Sequence, residues 1–213
     1  PSRTFYEGAY KKGVKVSPAC WSQDAQTPAP EVKAPKATSC RECPFSVKGS
    51  GQGGMGTACR LSWRTAVVLP NNPGGDVMQL VLPATSVFGD EDSGRWPFKS
   101  YVQMLANNNI SASRVITKAQ FDTKASVPRL LFSPIGAVDL EDIPVVAAQG
   151  KSDAAERAIK LTVYQTDGGE DEEVAQPEVA AAPVEEPKLR ETHKASGEAS
   201  DAAAVISKWK KKG

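Results

Sequence analysis

The chain has four cysteines, Cys20, Cys40, Cys43 and Cys59, spaced C-x19-C-x2-C-x15-C, and no other thiol among its 213 residues. Such clustering constrains the fold more than any other feature, because four ligands drawn from one segment can tie that segment around a single centre. A C-x-x-C knuckle such as Cys40-Arg-Glu-Cys43 sets two thiolates on one side of a tight turn, at the separation needed by a tetrahedral ion or an iron–sulfur cluster. Cys20 and Cys59 would close the site from a distance. Zinc is the first expectation and an iron–sulfur cluster the alternative. Two disulfides of an exported protein, or a redox dithiol, are the readings without a metal. The sequence as given opens on no cationic, apolar leader and holds no run of about 18 apolar residues to cross a bilayer. A cytoplasmic location with reduced thiols, and no membrane partner, is therefore expected, and that favours a metal.

Charge is segregated behind a net charge of only +1. Residues 1–65 hold 10 Lys and Arg against 4 Asp and Glu, residues 66–165 hold 9 against 10, residues 166–187 hold 0 against 8, and residues 188–213 hold 7 against 3. A basic amino-terminal region attracts polyanions through counterion release, and an acidic segment on the same chain can compete for that surface or recruit a partner. Lys11, Lys12, Lys15, Arg41, Lys48, Arg60 and Arg64 are the candidate phosphate contacts. Tyr6, Tyr10, Trp21 and Phe45 lie among them as candidate rings for base stacking, which needs no particular sequence.

Along the chain, the alternation of Phe5, Tyr6, Val14 and Val16 with polar neighbours predicts an early strand. Residues 22–39 read as a proline-rich, poorly packed loop. The glycines of residues 47–58 resemble a phosphate cradle, but no Gly-Lys-Ser/Thr follows, so a flexible turn between metal ligands is preferred. Apolar runs at 60–69 and 76–82, joined by Pro-Asn-Asn-Pro-Gly-Gly, predict a hairpin, and a connecting loop is expected from Thr85 or Ser86 to Gly89. Phe98, Tyr101, Val102 and Leu105 at i, i+3, i+4, i+7 predict a helix over 97–106. Strand patterning returns at 113–122 and 128–132, a helix interrupted by Pro144 is expected over 140–150, and residues 152–165 pass from helix toward a strand at 160–164.

Residues 166–199 are too rich in Glu, Ala and Pro to bury a core and read as a disordered acidic linker. Residues 200–213 read as a short basic terminal helix. The domain expectation is thus 1–165 as one body, including a cysteine-ligated subdomain at 20–64, followed by those two segments. Catalysis finds little support: the one histidine, His193, falls in the linker, and acidic residues of the body are scattered. A non-catalytic binding protein is expected.

The order strand, strand, loop, then Trp96-Pro-Phe-Lys-Ser-Tyr-Val-Gln-Met-Leu-Ala, Arg114-Val-Ile-Thr-Lys-Ala-Gln-Phe-Asp and Pro128-Arg-Leu-Leu-Phe-Ser-Pro resembles the single-stranded DNA-binding proteins of tailed phages. Leu82-Pro-Ala-Thr-Ser-Val-Phe-Gly is similar to the entry to the helix in such proteins. The likeness spans roughly residues 60–165. It implies an α+β, mainly β fold: an OB-like barrel with an inserted helix, binding single-stranded DNA in phage replication and recombination. A replication or recombination protein would be a partner for the C-terminal tail. The alternative is a zinc-bearing adaptor or transcription factor that binds a protein or duplex DNA.

Overall fold

The computed structural model describes residues 1–8, 16–54 and 56–163. The expected acidic linker and terminal helix lie outside these residues, as do Tyr10, Lys11, Lys12 and Lys15.

A four-stranded antiparallel sheet carries the molecule. It comprises β1 (Ser2–Phe5), β2 (Cys20–Ser22), β3 (Arg60–Val67) and β4 (Met78–Pro83), in the order β2-β1-β3-β4. The expected hairpin is β3–β4, with Trp63 opposite Leu82 and Val67 opposite Met78. β1 inserts between β3 and β2, with Arg3 facing Ser22 on one side and Leu61 on the other. A separate ribbon pairs β5 (Val115–Phe121) with β6 (Leu130–Ala137), with a bulge beside Ile116 and Thr117.

The described strands close no barrel, which corrects the barrel expectation. At Phe132 the main chain of β6 exchanges hydrogen bonds of 2.9 and 2.8 Å with Trp96, a loop residue, so this site is not taken by a strand of the larger sheet. What the molecule retains is a mixed, mostly β architecture of two antiparallel sheets, with its longest described helix between β4 and β5.

That helix, α2 (Phe98–Asn107), buries Tyr101 and Leu105 from one face. They join Leu82, Val87, Ile110, Val115 and Phe132 in the main core, against which Trp63, Trp96 and Phe98 pack. Each fully buried aliphatic or aromatic side chain contributes about 1.5–3 kcal/mol here. Phe132 meets Phe98 edge-on at 5.5 Å, and the Tyr101 hydroxyl shares a 2.7 Å hydrogen bond with Thr117. A short helix, α1 (Ala84–Val87), replaces the loop expected from Thr85 or Ser86 to Gly89. Four residues carry no readable period, yet Ser86 and Val87 are buried, and Ser86 Oγ accepts a 2.9 Å hydrogen bond from the Leu130 amide.

Two further helices follow, α3 (Ile143–Gln149), with Pro144 tolerated in its first turn, and α4 (Asp153–Ile159), capped by Ser152. Gln79 donates to the Ala158 carbonyl at 2.6 Å and so fastens α4 to β4. Beyond α4 no strand forms at 160–163. Leu161 instead exchanges two hydrogen bonds with the Gln23 side chain, at 2.9 and 3.2 Å, and joins Trp21, Ala29 and Val32 in a second core. The proline-rich stretch is therefore irregular but not poorly packed: Ala29 and Val32 anchor it.

Asp24 organises the entry to that stretch. Its carboxylate accepts from Ser22 Oγ (2.8 Å) and from the amides of Gln26 (2.8 Å) and Thr27 (3.0 Å). The Thr27 and Gln26 amides, then the Ser22 hydroxyl, hold its pKa down at about 2 from an ordinary 3.8. A depressed carboxylate stabilises the fold above its unfolded pKa and loses that contribution as pH falls through the folded value. The stability advantage of the native protein over Asp24→Ala is thus expected to be largely present above about pH 4 and to shrink as pH falls toward and through about 2. Urea denaturation of the pair across that range measures it; an advantage that does not change with pH would contradict the assignment.

Candidate metal centre

The four cysteines converge from three places. Cys20 opens β2, opposite Phe5, and residues 24–59 fold over the face of β1 and β2 that bears Arg3, Phe5 and Cys20. Within this lobe the Cys40 amide bonds the Gln26 carbonyl (2.8 Å), the Ser46 amide bonds Cys43 O (2.9 Å), and the Cys59 amide bonds Phe45 O (2.7 Å). Pro44–Ser46 is one turn of 3-10 helix, and it sets the Phe45 ring 4.3 Å from Phe5.

The glycine-rich segment closes the turn between Cys43 and Cys59. Ser50 Oγ donates to the carbonyls of Phe45 and Val47 and accepts from the Ala58 amide at 3.0 Å. Gly49, at φ +96°, bonds Gly56 O at 2.6 Å, a backbone conformation that a side chain would strain. These amides serve the loop's own bonds, in keeping with a turn between ligands.

All four cysteines line one cavity of about 10 Å³, together with Arg3, Phe5 and Ser46. It has room for about one water-sized sphere. Cys40, Cys43 and Cys59 are buried, Cys20 is half-buried, and all four are free thiols. Burial pushes the Cys40 and Cys59 thiols up from their ordinary value, while Ser22 and Arg3 act against it at Cys40, and Arg3 and Ser46 at Cys59. The sulfurs share a cavity without forming a finished coordination shell: among the described residues, no group of three or more His, Cys, Asp or Glu side chains is assembled to hold an ion. The donor set nevertheless suits a thiophilic ion in kind, being all sulfur with no carboxylate or imidazole in the lining.

The remaining site residues divide by exposure. Arg41, Lys48 and Arg60 are exposed on or beside the cysteine lobe. None of them forms an ion pair among the described residues, where the pairs are Lys36–Glu7, Arg95–Asp92, Arg129–Asp122 and Lys160–Glu156. Arg64 is half-buried on the opposite face of the sheet, donating to Ser2 and Ser62, and is poorly placed for a phosphate. Of the candidate rings, Tyr6 is 42% exposed, Phe45 packs on Phe5, and Trp21, at 8% exposed, belongs to the second core. Trp21 thus has no free face for a base. Sequence reading missed Arg3 as a lining residue; its signal was position alone, two residues before Phe5 and so on the same face of β1.

Among the described residues no helix is long and apolar enough to cross a membrane. Comparison of the chain with protein-family models, curated proteins and solved structures finds no match.

Proposed function

We propose that the protein binds single-stranded DNA without sequence preference and without catalysis, and that one zinc ion on Cys20, Cys40, Cys43 and Cys59 holds together the lobe that presents the binding surface. The observation that carries this reading is the set of exposed cations on and beside that lobe, Arg41, Lys48 and Arg60, with Lys33 nearby in sequence, which form no ion pair among the described residues. Cations left without carboxylate partners are free to displace counterions from a polyanion. Exposed Tyr6 supplies a stacking face, and Tyr10, Lys11, Lys12 and Lys15 extend the same basic segment in sequence. A place in phage replication and recombination, with a partner for the C-terminal tail, belongs to this proposal. A cavity of about 10 Å³ suits one ion better than an iron–sulfur cluster. When bound, zinc would supply cross-linking of the lobe and no chemistry on the nucleic acid.

Fluorescence anisotropy with labelled oligo-dT, matched duplex and RNA tests the reading. Tight, salt-sensitive binding to oligo-dT with little duplex affinity is expected, and each of Arg41→Ala and Lys48→Ala should reduce the salt slope by about 0.7. Tyr6→Ala should cost about 1–3 kcal/mol of affinity. Absence of oligo-dT binding at low salt would refute it and favour the zinc-bearing adaptor.

A further inference from the structure

Two buried side-chain polar atoms have no hydrogen-bond partner among the described residues, Arg3 Nε and Ser46 Oγ. Both residues line the cavity of the four cysteines. Buried donors are ordinarily satisfied, so two orphans at one cavity point to acceptors that form there. Arg3 also has no carboxylate within ion-pair distance among the described residues, although a guanidinium stays charged wherever it is placed. The cavity that Arg3 lines holds the sulfurs of all four cysteines. Register fixes it there, because β1 is held on both edges, with Arg3 opposite Ser22 and Leu61.

Four thiolates around a divalent ion make a dianionic complex, and a dianion in a closed lobe needs a nearby cation and hydrogen-bond donors to its sulfurs. We infer that Arg3 is the outer-shell counter-ion of a tetrathiolate centre and that Ser46 is a hydroxyl donor to it, so that ion binding fastens β1 to the cysteine lobe. This rests on the metal reading proposed above and not on DNA binding. Arg3 is a positioning residue: it would act on the sulfurs, not on the ion. The arrangement also explains why an arginine occupies a central strand at a position with no ion-pair partner among the described residues.

The test uses the full chain, stripped of metal under reducing conditions and titrated with Co(II) and then Zn(II) in the absence of DNA. The native protein is expected to take one equivalent of Co(II) with the intense sulfur-to-metal charge-transfer band of four thiolates. Arg3→Met should weaken Zn(II) binding by about 10–100-fold in competition with a chelator, and Arg3→Lys should restore part of the loss. Removing the cation should also move the charge-transfer band to longer wavelength, since the sulfurs become easier to oxidise; a merely structural change in β1 would not shift it in that direction. Ser46→Ala, which leaves the sheet untouched, should weaken Zn(II) binding several-fold and keeps the test decisive if Arg3→Met does not fold. Co(II) binding by the native protein, with Arg3→Met and Ser46→Ala unchanged in affinity and band position, would overturn the roles of both residues while leaving the metal reading intact. Absence of Co(II) binding would overturn the metal reading and this inference with it.

Discussion

Cys43→Ser, or treatment with a strong chelator, is expected to release residues 24–59 from the sheet while the β3–β4 and β5–β6 pairs persist. Few buried apolar contacts hold the lobe: apart from Ala29 and Val32, its buried side chains are cysteines, and its internal bonds are turns rather than ladders. Under the metal proposal, an ion bound by four thiolates would therefore supply most of its order. Structural zinc contributes roughly 10–16 kcal/mol of apparent binding free energy in zinc-finger peptides, and losing one ligand of four forfeits a large share of a term of that size. Hydrogen exchange provides the readout. The amides of Cys40, Ser46 and Cys59, bonded to Gln26, Cys43 and Phe45, should lose protection, and those of β3 and β6 should keep it. A chelated protein with unchanged protection in the lobe and an unchanged melting temperature would show that its turns stand without metal.

Leu82→Ala is expected to cost about 2–5 kcal/mol and to lower the melting temperature by roughly 4–20 °C. Leu82 is fully buried, pairs across from Trp63, and lies where β4 passes into α1 and meets α2. The cavity left behind has little means of collapse, because its walls belong to two sheets and a helix that are separately hydrogen-bonded. A fall of less than a degree or two would mean that α2 is not seated on β4 as described.

How much of this could be read beforehand depended on the range of the interaction. The β3–β4 hairpin and α2 were legible because their signals are local: alternating apolar residues around a glycine-rich turn, and Phe98, Tyr101, Val102 and Leu105 on one helical face. The insertion of β1 between β2 and β3 was not, since Arg3 finds Ser22 and Leu61 at long sequence separation, which a pattern within one segment does not encode. Ala29 and Val32 were misjudged for a similar reason. Two small apolar residues among prolines have no period, and they are buried because Trp21 and Leu161 come to them. Trp21 was assigned to stacking by its cationic neighbours, but tertiary packing decided its exposure. The barrel expectation failed at Phe132, where a loop residue took the main-chain bonds that closure would have required. The grouping of the cysteines was legible from spacing; the cation and hydroxyl that accompany them were not, because ordinary polar residues carry no motif.

The place of β1 has a consequence for how the protein comes into being. β1 precedes both of its partners in the chain: it waits for residues 20–22 on one edge and 60–62 on the other, and the Gln23 amide pair that braces β2 waits for Leu161. Loop-closure entropy must be met before those contacts stabilise the chain, so sheet assembly should trail the local hairpins. During that interval the cysteines are close in sequence but have no floor beneath them, and an ion captured early would join Cys40 and Cys43 first and recruit Cys20 only when β1 arrives. On this view β1 would act as a late latch, its arrival converting a loosely held ion, where the proposed metal binds, into a fixed one.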